Sequence, residues 1–378
     1  MAKKILIANT GSQNCLQFKD LFNLFSINGY LLYFYSQKKE IKKYCEDSKY
    51  FFKKAGNLTY ANTRLSKILF IILLLPLLLF SLTTILIYKI KYKIDIFICF
   101  DWQEKILFTP WAKLCGQKII WIECPGPNKS QSNFFIRALT RLVHKHAQII
   151  IFNQKTKDKL KTEKYKIEHI QLVPPGINLS QSLRQENIFH DLAKTKNSEN
   201  KNNFYTLGTI VDLNKEQEIE IILGAIKKAL SVIPNLQFII IGDGTERKNL
   251  TWLAKKMGIG NLVWFVGEQA HLHKWLNSFN IFITAAKNAS FTDMQALLHA
   301  LSSGIPVITP YNHGFDDIIN DNINGLIAEK LDSDTLSSAI IKINQDKKLA
   351  EKLSQNGKIT VTEKYTDKIM AENFIKLL

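Results

Sequence analysis

The stretch IIIGDGTERKNL, residues 239–250, places Gly242, Asp243 and Gly244 where an apolar strand passes into a helix. Glycines at such a turn let backbone approach a ligand closely, and the amide hydrogens of a helix N-terminus suit a phosphate. A tight turn with Asp243 near the helix start accounts for the same residues equally well. VWFVGE (263–268) ends a second strand on Gly267 and Glu268, where backbone groups could meet a base. Lys215, in TIVDLNKEQE, follows the strand that opens this half of the chain; it can reach a pyrophosphate as a point charge, or simply be solvated. DSD (332–334) has the look of a metal-binding Asp-x-Asp. It directly precedes TLSSAI, so capping of a helix by Ser333 or Asp334 explains it, and no metal is expected.

These residues need strands and helices to hold them, and the chain alternates the two. KKILIAN (3–9), YLLYFYS (30–36), DIFICF (95–100), KIIWIE (118–123) and QIIIFN (148–153) read as strands; 18–29, 103–116 and 134–147 read as helices. After the polar stretch 184–203 the alternation resumes. Strands are expected at 204–210, 236–244, 262–268, 281–286, 304–309 and 323–329, with helices near 216–233, up to Met257, near 294–303 and to the end. Such repetition implies an α/β fold of parallel sheets covered by helices. The expected organisation is a first Rossmann-like domain over 1–183, a linker over 184–203, a second Rossmann-like domain over 204–360, and a C-terminal helix at 361–378 packing back on the first. A central cleft lies between the two, with ligands at the carboxyl ends of the strands.

The 378 residues carry a formal net charge of +17, and the excess is one-sided. Residues 1–180 hold 28 Lys and Arg against 11 Asp and Glu, while residues 181–378 hold 22 of each. The basic residues crowd around Ile68–Tyr88, 21 uncharged residues in a row. As a helix that run would be about 31 Å long, the thickness of a bilayer's hydrocarbon core. A span would separate strands 3–9 and 30–36 from their partners, and Pro76 interrupts the run. The expected arrangement is therefore a monotopic insertion into one leaflet; a true span and a buried core helix are the alternatives. The basic cluster suits anionic lipid, and a cytoplasmic membrane face is the expected location. Nucleic acid is not an expected partner: no helical reader, Cys/His finger or aromatic-Gly motif is present. MAKKILIANTGS reads as a strand rather than a leader, and five Cys without a CxxC pair read as free thiols in a reducing compartment.

The order of LVPPGIN (172–178), LGTIVDLNK, IIIGDGTERKNLTWLAKKMGIGNLVWFVGE, FNIFITAA, ALLHALSSGIPVIT and DNINGLIAEKLDSDTLSSAI resembles the glycosyltransferase family 4 (group 1) enzymes of the GT-B fold. The resemblance covers about residues 140–378 and is looser before. It implies a retaining transfer of a sugar from a UDP- or GDP-sugar to a lipid-linked or glycan acceptor at an anionic membrane surface, with no cofactor or metal. Lys215 matches the family's diphosphate-binding residue; Thr209 stands where an Arg is usual. The family's paired Glu positions are taken by Phe291 and His299, and His299 can still hydrogen-bond a ribose hydroxyl. Asp293 becomes the candidate sugar-binding carboxylate, beside Gly242, Asp243, Gly244, Gly267 and Glu268 on the donor side. Glu123, where the family commonly has His, and Asp101 are the candidates for acceptor contact and catalysis, with helix-capping or turn roles as the alternative. Gly11 and Ser12 fall on the acceptor-side loop. A catalytically degenerate relative acting as a membrane-bound partner is the competing reading, motivated by the lost Glu pair.

Overall fold

The computed structural model describes residues 2–11, 13–55, 64–125, 134–179, 204–269, 271–311 and 314–378; Ser12 and the 184–203 linker lie outside the described residues. The chain divides into two compact units, Met1–Val173 with Met370–Leu378, and Pro174–Ile369.

In the first unit seven parallel strands form one sheet in the order β3-β2-β1-β4-β5-β6-β7. They are β1 (Lys4–Ala8), β2 (Leu31–Ser36), β3 (Phe51–Lys54), β4 (Ile96–Cys99), β5 (Lys118–Glu123), β6 (Gln148–Ile151) and β7 (Ile170–Leu172). The inner strands are nearly continuous Ile, Leu and Phe because both faces are buried. The helices are α1 (Lys19–Ile27), α2 (Lys39–Asp47), α3 (Arg64–Ile72), α4 (Leu74–Ile90), α5 (Trp102–Leu114), α6 (Phe134–Val143) and α7 (Gln154–Thr162). Sequence reasoning passes over α2, β3, α7 and β7. β3 is a four-residue edge strand with exposed Phe51, Lys53 and Lys54, short and charged as unpaired edges tend to be. Cys15, Cys45 and Cys99 are buried free thiols; Cys115 and Cys124 are free and half-buried.

The long apolar run forms two helices, broken at Leu73. Pro76 sits in the first turn of α4, where a missing N–H is tolerated, so it marks a start rather than a mid-helix kink. Among the described residues no helix is long and apolar enough to cross a membrane. α4 packs on α5, with Ile85 and Tyr88 buried in the core and Ser81 Oγ donating to the Leu107 carbonyl at 2.9 Å. Its outer face leaves Leu75, Leu79, Ile87 and Ile90 more than half exposed, so it is not a core helix.

In the second unit six parallel strands run in the order β10-β9-β8-β11-β12-β13. They are β8 (Tyr205–Ile210), β9 (Leu236–Ile241), β10 (Val263–Gly267), β11 (Ile281–Ile283), β12 (Val307–Pro310) and β13 (Leu326–Ala328). α8 (Ile219–Ala229), α9 (Arg247–Lys256), α10 (Leu272–Leu276), α11 (Phe291–Ser302), α12 (Ser333–Gln345), α13 (Lys347–Lys364) and α14 (Asp367–Ile375) complete the fold. In both sheets the winding direction reverses beside the first strand, between β1 and β4 and between β8 and β11. Loops diverge at such points and leave room for ligands. The DSD segment caps α12 with Asp332, which accepts from Thr335 N at 2.7 Å. Ser333 instead donates to the Ile221 carbonyl and Asp334 pairs with Lys228, so the expected cap, Ser333 or Asp334, lies one or two residues too late. Past Met370 the chain groups with the first unit, and the Phe374 ring lies 5.9 Å from that of Phe25.

Candidate functional site

At the carboxyl ends of β8, β9 and β10 the second unit holds a cavity of about 300 Å³. Ile210, Asp212, Gly242, Glu268, Thr292 and Asp293 are among its lining residues. Asp293 is its most tightly held polar group. It is the third residue of α11, in a reciprocal capping box with Ser290, accepting from Ser290 N at 2.9 Å and Ser290 Oγ at 2.7 Å. Gln217 Nε2 reaches both carboxylate oxygens at 3.2 Å. Burial raises the Asp293 pKa, and the Ser290 and Gln217 hydrogen bonds oppose that rise.

Gly242 and Gly244 serve close backbone packing. A Cβ on Gly242, at φ +127°, would lie 1.9 Å from the Val211 carbonyl oxygen; one on Gly244 would lie 2.2 Å from that of Leu213. The loop after β8 is thereby pressed onto the loop after β9, with Leu213 N donating to the Asp243 carbonyl at 2.9 Å. Four of the amides that the sequence pattern offers to a phosphate are committed here. Gly242 N donates to the Gly267 carbonyl, Gly244 N to Asp243 Oδ1, Glu246 N to the Leu213 carbonyl and Arg247 N to the Gly244 carbonyl. The helix itself starts only at Arg247, which corrects the reading of Gly242–Gly244 as a helix N-terminus. Asp243 pairs with Arg247 at 2.7 Å, and its carboxyl is held below the usual range by the Gly244 amide and then by Arg247.

Of the residues nominated for the donor side, Gly242, Glu268 and Asp293 line the cavity. Thr209 is buried within β8 and Gly267 closes a shifted register at the end of β10. Lys215 stands exposed in a short 3-10 turn, with no ion pair among the described residues. His299 faces His273 with ring centroids 5.6 Å apart, its Nδ1 buried without a hydrogen-bond partner. Burial, then His273, lowers its pKa to about 4, so the ring is neutral at pH 7. Phe291 is 1% exposed and part of the core. Gln217 has no sequence signature: it lies two residues past Lys215 and meets Asp293 only through the fold.

The first unit has a buried polar cluster at its own switch point. Asp101 caps α5 and accepts from Asn9 Nδ2 at 2.9 Å, Gly11 N at 2.8 Å and Gln13 N at 3.2 Å. Glu104 accepts from Phe100 N and Asp101 N at 3.2 Å and from Thr10 N. Burial, then the nearby Asp101 charge, pushes the Glu104 carboxyl upward, and burial does the same to Asp101. Glu123 is 4% exposed and pairs with Lys105 Nζ at 2.7 Å; that ammonium also donates to the Ile122 carbonyl at 2.7 Å. Asp101, which also holds the Gly11 amide, and Glu123 are thus tied to buried partners near the ends of β4 and β5. Glu104 and Lys105, absent from the sequence shortlist, are what hold them.

Two Rossmann-like parallel-sheet units with this winding define the GT-B class of fold, and comparison with known proteins agrees. Residues 191–360, which lie in the second unit, match the family described as Glycosyl transferases group 1. The lipopolysaccharide core biosynthesis glycosyltransferase LpsE of Rhizobium meliloti (strain 1021) is 25% identical over 151 residues, 40% of this chain and 44% of that protein. The alpha-monoglucosyldiacylglycerol synthase of Acholeplasma laidlawii is 26% identical over 207 residues, 53% of this chain and 50% of that protein. The chain therefore matches about half the length of these curated relatives or less. In fold, it resembles the crystal structure of Anabaena Alr3699/HepE in complex with UDP, with a TM-score of 0.78 at 12% identity over 99% of each chain.

Proposed function

We propose that this chain is a retaining, nucleotide-sugar-dependent glycosyltransferase acting on a lipid-linked or membrane-surface acceptor. The cavity at the ends of β8–β10, with Asp293 fixed in its wall, carries this reading. It lies in the segment that matches group 1 glycosyl transferases, and a similarly folded protein is recorded with UDP. In this scheme the second unit holds a UDP- or GDP-sugar and the first presents the acceptor. Asp293 orients the sugar hydroxyls, and His299, a neutral ring with an unused nitrogen, meets the ribose. The Gly242 and Gly244 amides are occupied, so the Lys215 ammonium carries most of the charge of the departing diphosphate. Relatives named for lipopolysaccharide core and glycolipid synthesis, and the exposed apolar face of α4 amid basic residues, support a peripheral or monotopic place at an anionic membrane.

The test is a thermal-shift and calorimetric screen of UDP, GDP and their sugars. The reading expects one nucleotide to bind and Lys215→Ala to weaken it at least tenfold, followed by transfer to a polyprenyl-phosphate-linked acceptor detected by mass spectrometry. A core Phe291 and an uncharged His299 in place of two acidic residues favour a second reading, a degenerate relative acting as a membrane-bound partner. Failure to bind any nucleotide selects it.

A further inference from the structure

The helices on one face of the first sheet form a layer in which α5 is flanked by α4 on one side and α6 on the other. α6 lies outside the long apolar run, yet it exposes Phe134 at 71%, Phe135 at 61% and Leu142 at 66%. The last residue of α5, Leu114, is 77% exposed. Large apolar side chains grouped in this way on a surface mark an interaction site. Inward, α6 is anchored by buried Ile136 and Thr140.

Arg137 and Arg141 sit one turn apart on α6. The Nε of each is buried with no hydrogen-bond partner, and among the described residues neither forms an ion pair. A guanidinium with a fixed stem and no carboxylate is preorganised for a phosphate, which it can grip through parallel N–H groups. Aromatic rings beside cationic side chains suit the boundary between head groups and acyl chains, where rings enter and charges stay at the phosphates. The half of the chain that carries α6 also holds the whole net charge of +17, which matches an anionic surface.

We infer that α6 is a second lipid contact beside α4: Phe134 and Phe135 enter an anionic leaflet while Arg137 and Arg141 hold lipid phosphates. The inference rests on the membrane association proposed above and adds to it a footprint. Two contacts about 18 Å apart, from two helix spacings, fix the rotation of the first unit on the leaflet, which one apolar helix alone cannot do.

Flotation of the 378-residue chain with phosphatidylcholine vesicles, with and without phosphatidylglycerol, tests it. R137Q/R141Q should lower partitioning onto the anionic vesicles about thirtyfold, the effect of two basic residues near the surface, and change neutral vesicles little. F134S/F135S should lower both at least tenfold. The two rings are solvent-exposed, so that variant tests the inference even if Gln at the half-buried Arg positions unfolds the unit. Variants of α6 that partition like the parent, while L79S/I87S in α4 detaches, leave the membrane reading standing and overturn this one. A parent chain that floats with neither vesicle overturns both. Loss of a dimer in F134S/F135S with unchanged flotation would make the face a self-association surface and also overturn it.

Discussion

Lys105 and Glu123 offer a direct test of what the polar cluster in the first unit does. Their side chains are 3% and 6% exposed, and the 2.7 Å ion pair is supplemented by the Lys105 bond to the Ile122 carbonyl. Lys105→Met leaves an isolated carboxylate inside the protein. Breaking one side of a buried pair costs about 3–5 kcal/mol, a large share of a domain's stability. At about 2–4 °C per kcal/mol for a unit of this size, the transition of the first unit should fall by roughly 10 °C. Removing both charges, with Lys105→Met and Glu123→Leu, also removes the desolvated carboxylate. Paired apolar replacements of this kind are often near neutral, so the double variant should recover most of the loss, with a coupling of at least about 2 kcal/mol. Calorimetry and urea unfolding of the four proteins read this cycle. A single variant that costs under about 1 kcal/mol, or a double variant whose cost is the sum of the two, refutes the argument. So does a Glu123→Gln protein that melts like the parent yet loses transfer to acceptor, since that outcome makes the carboxylate a reacting group rather than a tie.

Three other perturbations follow from the geometry. Gln217→Leu removes the two 3.2 Å bonds to Asp293; it should weaken the nucleotide-sugar about tenfold, a charged hydrogen bond's worth of about 1.5 kcal/mol, and leave the bare nucleotide unchanged by titration calorimetry. Gly242→Ala forces a methyl onto the Val211 carbonyl at a φ of +127°, and should destabilise the second unit by more than about 3 kcal/mol in urea unfolding. The two units should respond to pH in opposite senses. Glu104 has a folded pKa above its ordinary 4.5, so its contribution is complete below that value and is lost as pH rises through the folded pKa. His299 has a folded pKa of about 4 against an ordinary 6.5, so the second unit weakens as pH falls from 6.5 toward 4. Calorimetric scans from pH 4.5 to 8.5 should show both trends, with Glu104→Gln flattening the first and His299→Gln the second.

Sequence alone determined much of the scaffold, because period and apolarity are local properties. The buried strands announce themselves as runs such as QIIIFN and DIFICF, and the spacing of LVPPGIN, Gly242–Gly244 and SGIPVIT resembles that of group 1 glycosyl transferases before any contact is known. The exceptions are elements whose stability is not local: β3 is four residues of mixed character held by its pairing with β2. Glycine types were legible at 242 and 244, but their purpose was not. Only the folded chain shows that Val211 and Leu213 occupy the space a side chain would need. Likewise the 68–88 run is apolar in any reading, and tertiary packing decided that it breaks at Leu73 and turns one face outward. The partners of the charged groups were beyond sequence for a simple reason. Gln217 lies 76 residues from Asp293 and Lys105 lies 18 from Glu123, and nothing along the chain encodes which distant side chain will neutralise a buried one.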